Sequence, residues 1–251
     1  MNCAFPTVER NLHTNTMYIY FFQGSILVDE YAHIQSCVEG LLEMLRAFLE
    51  PTFALLSITA QQLNNNEVLL TLKNHPDTVD DFFRLNARFL QRAALPYLQS
   101  DFVPSIMECS LVAVLLDHKD ANGSVMKFIF DLFHLGRSKE EREDFEERSG
   151  IVQQLMGEYG PRITDRLMNA AIFYLPSYTY HDMGDIFLEI MQLDRASFCT
   201  WLESCLTQLP QDKSQPRVNR SQLVKFHKSV TSAEENHQVT DAIREFCRLW
   251  R

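Results

Sequence analysis

Several kinds of side chain in this 251-residue sequence could do chemistry, and their spacing decides how far each can go. Six cysteines, Cys3, Cys37, Cys109, Cys199, Cys205 and Cys247, are scattered through mostly apolar stretches without a C-x-x-C pair. That pattern reads as reduced interior thiols, not as a disulfide framework or a metal site. Cys199 and Cys205 have no neighbouring base to draw off a thiol proton, so neither reads as a nucleophile. His181 beside Asp182 has the makings of an acid-base pair, but it follows Pro176-Ser177 where a helical pattern opens, and capping is the simpler role. Asp117 to Ser124, DHKDANGS, resembles a calcium loop. With Gly123 at the glycine position of an EF-hand, His118 would be the first ligand and Ile129 would stand where a bidentate Glu is required, so calcium is excluded. The segment reads instead as the start of a helix, with Asp and Asn as caps. Phosphate-binding glycine loops, H-E-x-x-H and G-x-S-x-G are all absent from the sequence. No catalytic, metal-binding or cofactor-binding residue is assigned, and an enzyme is not expected.

Binding chemistry is better represented. Lys139 to Arg148, KEEREDFEER, holds six acids (Glu140, Glu141, Glu143, Asp144, Glu146, Glu147) against three bases, a patch suited to arginine-rich ligands. Its plainer reading is a solvated helix start, with Ser138 to Glu141 as a capping box. Arg162 and Arg166, four apart, can share one helix face and grip a phosphate between two guanidinium forks. Lys213 to Lys228 carries five bases and no acid; it reads as a soluble connector and helix face that could also meet phosphate. The 33 acids exceed the 23 Lys and Arg by ten, which disfavours direct nucleic-acid binding and favours basic partners.

The elements that must position these residues are helices. Only 8 Gly and 9 Pro occur, most Pro beside helix ends, which leaves few turn signals for a β fold. In NHPDTVDDFFRLNARFLQRA, Pro76 suits the first helical position and Asp77, Asp80 and Asp81 complement the helix dipole. Val79, Phe82, Phe83, Phe89 and Leu90 form its apolar stripe. A partner helix is expected from about Asp101, with Val103, Ile106, Met107 and Leu111 inward. The same pairing returns along the chain. About Tyr18–Tyr31 pairs with Gln35–Ile58, where Pro51 should kink or split the second helix. Ala121–Leu135 pairs with Ile151–Leu175, Thr179–Leu193 with Ser197–Leu209, and Ser221–Val230 with Ala233–Trp250, the last opened by a capping box at Ser232–Glu235. First helices recur every 40 to 60 residues or so, the period of HEAT or armadillo arrays. The expected fold class is all-α, an α-α superhelix (HEAT-repeat solenoid) of about five helix pairs over residues 17–251. Residues 1–16 form an irregular N-terminal segment. No stretch reads as a signal peptide or membrane span, and the N-x-S sequons at Asn122 and Asn219 read as chance matches.

Longer strings carry a resemblance. GSILVDEY (Gly24–Tyr31), NHPDTVDDFFRL (Asn74–Leu85), LDHKDANGSVMKF (Leu116–Phe128), EIMQLDRASFCTWLE (Glu189–Glu203), FHKSVTSAEE and the ending REFCRLWR resemble the C-terminal portion of nuclear import receptors of the importin-β (karyopherin) superfamily, in its transportin-SR and importin-13 branch. The resemblance runs from about residue 18 to Arg251. It implies a right-handed HEAT superhelix that carries serine/arginine-rich proteins such as splicing factors through the nuclear pore, shuttling between cytoplasm and nucleus. Nucleoporins would be partners, cargo would be released by Ran-GTP, and neither cofactor nor membrane would be involved. By the same resemblance, second helices line the cargo side, making Arg162 and Arg166 the phosphate candidates and Glu140 to Glu147 the acidic ones. The family's arginine-rich helix otherwise has no counterpart here, and its receptors are several times longer. The implied object is a fragment, short isoform or incomplete gene model, with a truncated scaffold lacking autonomous transport as the alternative. Tyr18, Ile19, Phe21 and Phe22 are then expected on a bare stacking face prone to self-association.

Overall fold

The structure, a computed structural model, describes residues 19–56, 66–138, 144–210 and 218–250. Among the described residues there are helices and turns and no strands. The chain divides into two compact units, Met1–Phe128 and Ile129–Arg251.

In the first unit, α1 covers residues 19–31, followed by α2 (Gln35–Leu55), α3 (Asn66–Asn74), α4 (Pro76–Arg92), α5 (Ala94–Leu98), α6 (Val103–Ala113) and α7 (Lys119–Leu135), which runs on past the unit's last residue. The helix α4 is the one its sequence describes: Pro76 in its first turn, Asp77 at the dipole's positive end, Arg92 at its negative end. All five residues of its expected stripe are fully buried. Phe21 of α1, Phe53 of α2 and Phe83 each meet Phe82 with ring centroids 5.3 to 5.9 Å apart, and Phe83 meets Phe128 of α7 at 5.4 Å. Each such ring contributes about 1.5–3 kcal/mol through burial, and this row of phenylalanines joins four helices. The buried amide of Asn86 is satisfied on both sides, donating to the Phe82 carbonyl (2.8 Å) and accepting from the Tyr97 hydroxyl (2.8 Å).

Three local expectations are corrected in this unit. Pro51 does not split α2, which continues to Leu55; the proline is exposed and one turn from the C-terminal end, so few helical residues follow the hydrogen bond it removes. The helix expected from about Asp101 is present as α6, starting at Val103, but it does not follow α4 directly: Ala94–Leu98 forms a short helix of its own before it. The helix start at Lys119 is not capped by Asp and Asn: the His118 ring Nδ1 accepts from the Ala121 amide (3.4 Å), while buried Asn122 donates to the Val114 carbonyl (2.9 Å).

The second unit holds α8 (Phe145–Asn169), a π-helical turn (Ala170–Tyr174), α9 (Tyr180–Gln208), α10 (Arg220–Thr231) and α11 (Asn236–Cys247). Pro161 lies inside α8 beside Gly160, and a Cβ on that glycine would stand 2.4 Å from the Trp201 ring, so only glycine lets the indole of α9 lie on α8. The two helices expected at 179–193 and 197–209 are the two limbs of α9, separated at Asp194 (φ −154°, ψ 89°). Its carboxylate accepts from the Ser197 amide (3.0 Å) and hydroxyl (2.6 Å), capping the second limb, and these bonds lower its pKa. The next residue, Arg195, donates to the Thr231 and Ala233 carbonyls (2.6 and 3.1 Å) and so binds the turn between α10 and α11.

The capping box expected at Ser232–Glu235 is displaced. Ser232 donates to the Lys228 carbonyl at the end of α10, and Gln238 accepts from the Glu235 amide (3.2 Å) at the start of α11. A full capping box is found at Asn219–Gln222, opening α10. The sequon at Asn219 thus belongs to a cap, and that at Asn122 is buried.

Candidate binding surfaces

The arginine pair expected to meet phosphate lies on α8. Arg162 is exposed, its guanidinium 5.7 Å from the Tyr159 ring, and Arg166 is half-buried one turn later. Residues four apart on a helix have Cβ atoms about 6 Å from each other, close enough for one phosphate. The acidic candidates are divided. Glu140, Glu141 and Glu143, with the Ser138–Glu141 capping box, fall outside the described residues. Asp144 flanks the start of α8, and Glu146 and Glu147 stand exposed in its first turn, where they complement the dipole. From there to Arg162 is about 16 residues of helix, roughly 24 Å at 1.5 Å per residue. The acids and the arginines are therefore two separate surfaces. Arg148, the last residue of the charge run, is not on either: it is fully buried, with Nη2 donating to the Ser138 carbonyl (3.1 Å) and the guanidinium 5.9 Å from the Phe145 ring.

Other candidates resolve into structural roles. Cys109 and Cys205 are buried and their thiols pushed up to about 12, Cys109 by burial and Cys205 by burial and then by Asp165, so both stay protonated and unreactive near neutral pH. The five cysteines within the described residues are all free thiols. His181 does not cap: it lies inside the first turn of α9, its Nδ1 3.2 Å from Asp185 and 3.9 Å from Asp182. Ligand atoms of these three residues lie within 4.8 Å of one another. The positive end of the α9 dipole opposes a cation there, and Asn236 already donates to Asp185. Between α7 and α9, buried Glu189 takes both forks of Arg137 (2.8 and 3.2 Å) and approaches His134 (3.3 Å), an ion cluster that fixes the two helices and raises the Arg137 pKa.

A further feature was not anticipated. α1, α4 and α7 enclose a groove of about 530 Å³, with Phe22 and Ile26 on one wall and Asp81, Arg84, Arg88 and Lys127 on the others. Arg84, Arg88 and Arg92 recur at four-residue spacing along α4. Arg84 pairs with Asp80 (3.0 Å), while Arg88 and Arg92 converge on Asp29 of α1 (3.6 and 2.9 Å). Asp81 is raised to about 6, first by burial and then by the neighbouring Asp80 charge. The arginine spacing is visible in the sequence; the groove is not, because its walls are about 40 to 100 residues apart in the chain.

Residues 8–56 match the family described as the Transportin-3/Importin-13 fourth TPR domain, a match that begins within the segment read as irregular. Transportin MOS14 of Arabidopsis thaliana is 24% identical over 135 residues, which is 54% of this chain and 14% of that protein. A structure described as importin13 in its cytosolic state superposes with a TM-score of 0.73 at 12% identity, over 98% of this chain and 26% of that one. The sequence similarities are to transportin and importin-13 proteins, and the structural one, at 12% identity, shows the fold. Transport receptors of the importin-β family are not enzymes. The all-α helix-pair fold expected from periodicity is the fold of the importin13 neighbour. Among the described residues α10 packs on α11 as expected, while the strongest packing of the second unit is of α8 and α11 on α9, and in the first unit α3 and α5 pack on α6 and α4. The chain spans only a minor part of either relative's length. No helix among the described residues is long and apolar enough to cross a membrane.

Proposed function

We propose that this chain acts as a segment of a nuclear import receptor of the transportin-SR (transportin-3) type and contributes surface that holds serine/arginine-rich cargo. The observation that carries this reading is the pair Arg162 and Arg166 on α8, within a fold shared with importin13 over 98% of the chain. Guanidinium forks suit phosphoserine, and the acidic turn at Asp144, Glu146 and Glu147 suits the intervening arginines. Within the complete receptor, the segment shuttles between cytoplasm and nucleus, passes nucleoporins in the pore and gives up cargo to Ran-GTP. A second reading is a helical scaffold without autonomous transport, since the likeness to the solved neighbour is one of fold alone. Peptide binding followed by fluorescence anisotropy separates the two. Arg162→Ala with Arg166→Ala should weaken a phosphorylated Arg-Ser repeat peptide roughly tenfold or more and its unphosphorylated form much less, the loss of charge-assisted hydrogen bonds. Equal losses, or none, remove the phosphate role and leave the scaffold.

A further inference from the structure

Two side chains are buried where the sequence implied exposure. Phe21, expected on a bare face with Ile19 and Phe22, fills the phenylalanine row while those two stay exposed; Tyr18 lies outside the described residues. Burial of the phenylalanine is favourable, and burial of the other side chain, Arg148, is not. Its guanidinium is cut off from water, and the donors on Nε and Nη1 have no hydrogen-bond partner. Nη2 donates to the Ser138 carbonyl (3.1 Å), and the Phe145 ring, 5.9 Å away, offers a weak cation–π contact. Asp144, four residues earlier, does not answer the charge: one of its carboxylate oxygens is itself buried and unpartnered. A cation held in this way costs stability until an anion joins it.

Which anion fits is set by the residue that already touches the guanidinium. Ser138 follows the turn that closes α7, where its amide and that of Arg137 donate to the His134 carbonyl (2.9 and 3.0 Å). It stands outside any helix and is only partly buried. Its hydroxyl is a few bonds from the carbonyl that Arg148 holds, which brings a phosphate on that hydroxyl to the open Nε and Nη1 edge. In the sequence Glu140, Glu141, Glu143 and Asp144 stand two, three, five and six residues after Ser138, the charge pattern that acid-directed protein kinases select. Ser149, the other hydroxyl at this junction, is occupied, donating to the Gly136 carbonyl (2.9 Å). Arg137 is committed to Glu189, which leaves Arg148 to take the phosphate.

We propose that Ser138 is a phosphorylation site whose phosphate is received by Arg148. A kinase transfers the γ-phosphoryl group of a nucleoside triphosphate to the Ser138 Oγ. The hydroxyl O–H and the phosphoanhydride bond break, the new O–P bond forms, and the nucleoside diphosphate and the proton leave. The phosphate, with a charge of about −1.5 to −2 at pH 7, supplies the partners that Nε and Nη1 lack and joins the end of α7 to the first turn of α8. The guanidinium is desolvated already, so it gives the phosphate a strong pair without a further loss of its own hydration.

Incubation of the whole chain with ATP and an acid-directed serine kinase tests this. Peptide mass spectrometry should place a phosphate on Ser138, and Ser138→Ala should lose it. Calorimetry should then show the phosphorylated chain melting roughly 3–6 °C higher than the unmodified one. Arg148→Met should abolish that rise while leaving the unmodified chain as stable as before or more so, because it removes an unpaired buried charge. Should that variant misfold, phosphorus NMR of the phosphorylated chain decides: the phosphoserine should titrate below its usual value of about 6 in the folded chain and return to it in denaturant. No phosphate on Ser138, or a phosphate that moves neither the thermal midpoint nor its own titration, overturns the proposal. A rise that persists in Arg148→Met overturns the role of Arg148.

Discussion

Asp81 shows how one residue reports on its surroundings. Burial, then the Asp80 and Asp77 charges, raise its carboxyl from 3.8 to about 6, and Arg84 only partly offsets them. The folded chain therefore holds this proton more tightly than the unfolded chain. Stability contributed by this group is fully present below about pH 4 and is lost as pH rises through about 6. Asp81→Asn should accordingly raise the thermal midpoint at pH 7 by roughly 2 °C and leave it little changed at pH 4, which a calorimetric comparison at the two pH values checks. An equal gain at both values would mean that ionisation is not the cause. The role of such a residue was half legible. Asp77, Asp80 and Asp81 do begin a helix as their positions imply, but the groove that desolvates Asp81 is assembled from α1 and α7 as well. Arg148 teaches the converse: inside a run of charges it reads as solvated, yet its position one turn into α8 turns it inward.

At the scale of elements, long amphipathic helices were legible and short ones were not. α4, α7 and both limbs of α9 carry apolar stripes over several turns, enough for the helical period to stand out. α3, with nine residues, and α5, with five, offer too few turns for any periodicity, and tertiary packing rather than pattern holds them. Helix caps were the least legible feature. Several nearby residues can each supply an acceptor, so His118 displaces the expected Asp and Asn, and Gln238 displaces the Ser232 box. Packing between elements makes a sharper prediction. Gly160 exists where α8 touches Trp201, and the Cβ of Gly160→Ala would press into the ring. Overpacking of this kind costs about 1–3 kcal/mol, against a helix-propensity gain of about 1. Chemical denaturation should show a net loss of roughly 1–2 kcal/mol, and Gly157→Ala, where a Cβ meets open space, should instead be neutral or stabilising. The reverse order would show that the indole yields freely.

For the whole molecule, a net charge of −10 coexists with two local surfaces of opposite character on α8. The charge excess favours basic partners at long range, whereas the Arg162 and Arg166 pair selects phosphate at short range; a phosphorylated Arg-Ser repeat satisfies both. Fold class was legible because helix pairs repeat, and the importin13 superposition agrees with it over nearly the whole chain. The binding surfaces were legible only as lists of charged residues. Their separation along α8, and the groove in the first unit, depend on how the helices pack. The most direct measurement is binding of the purified chain to a phosphorylated Arg-Ser repeat peptide at low and high salt, with the unphosphorylated peptide as control. The account predicts saturable binding that weakens as salt rises and favours the phosphorylated peptide. No binding at low salt, or binding indifferent to phosphate, would contradict it and leave the chain a stacking segment whose relatives recognise cargo elsewhere.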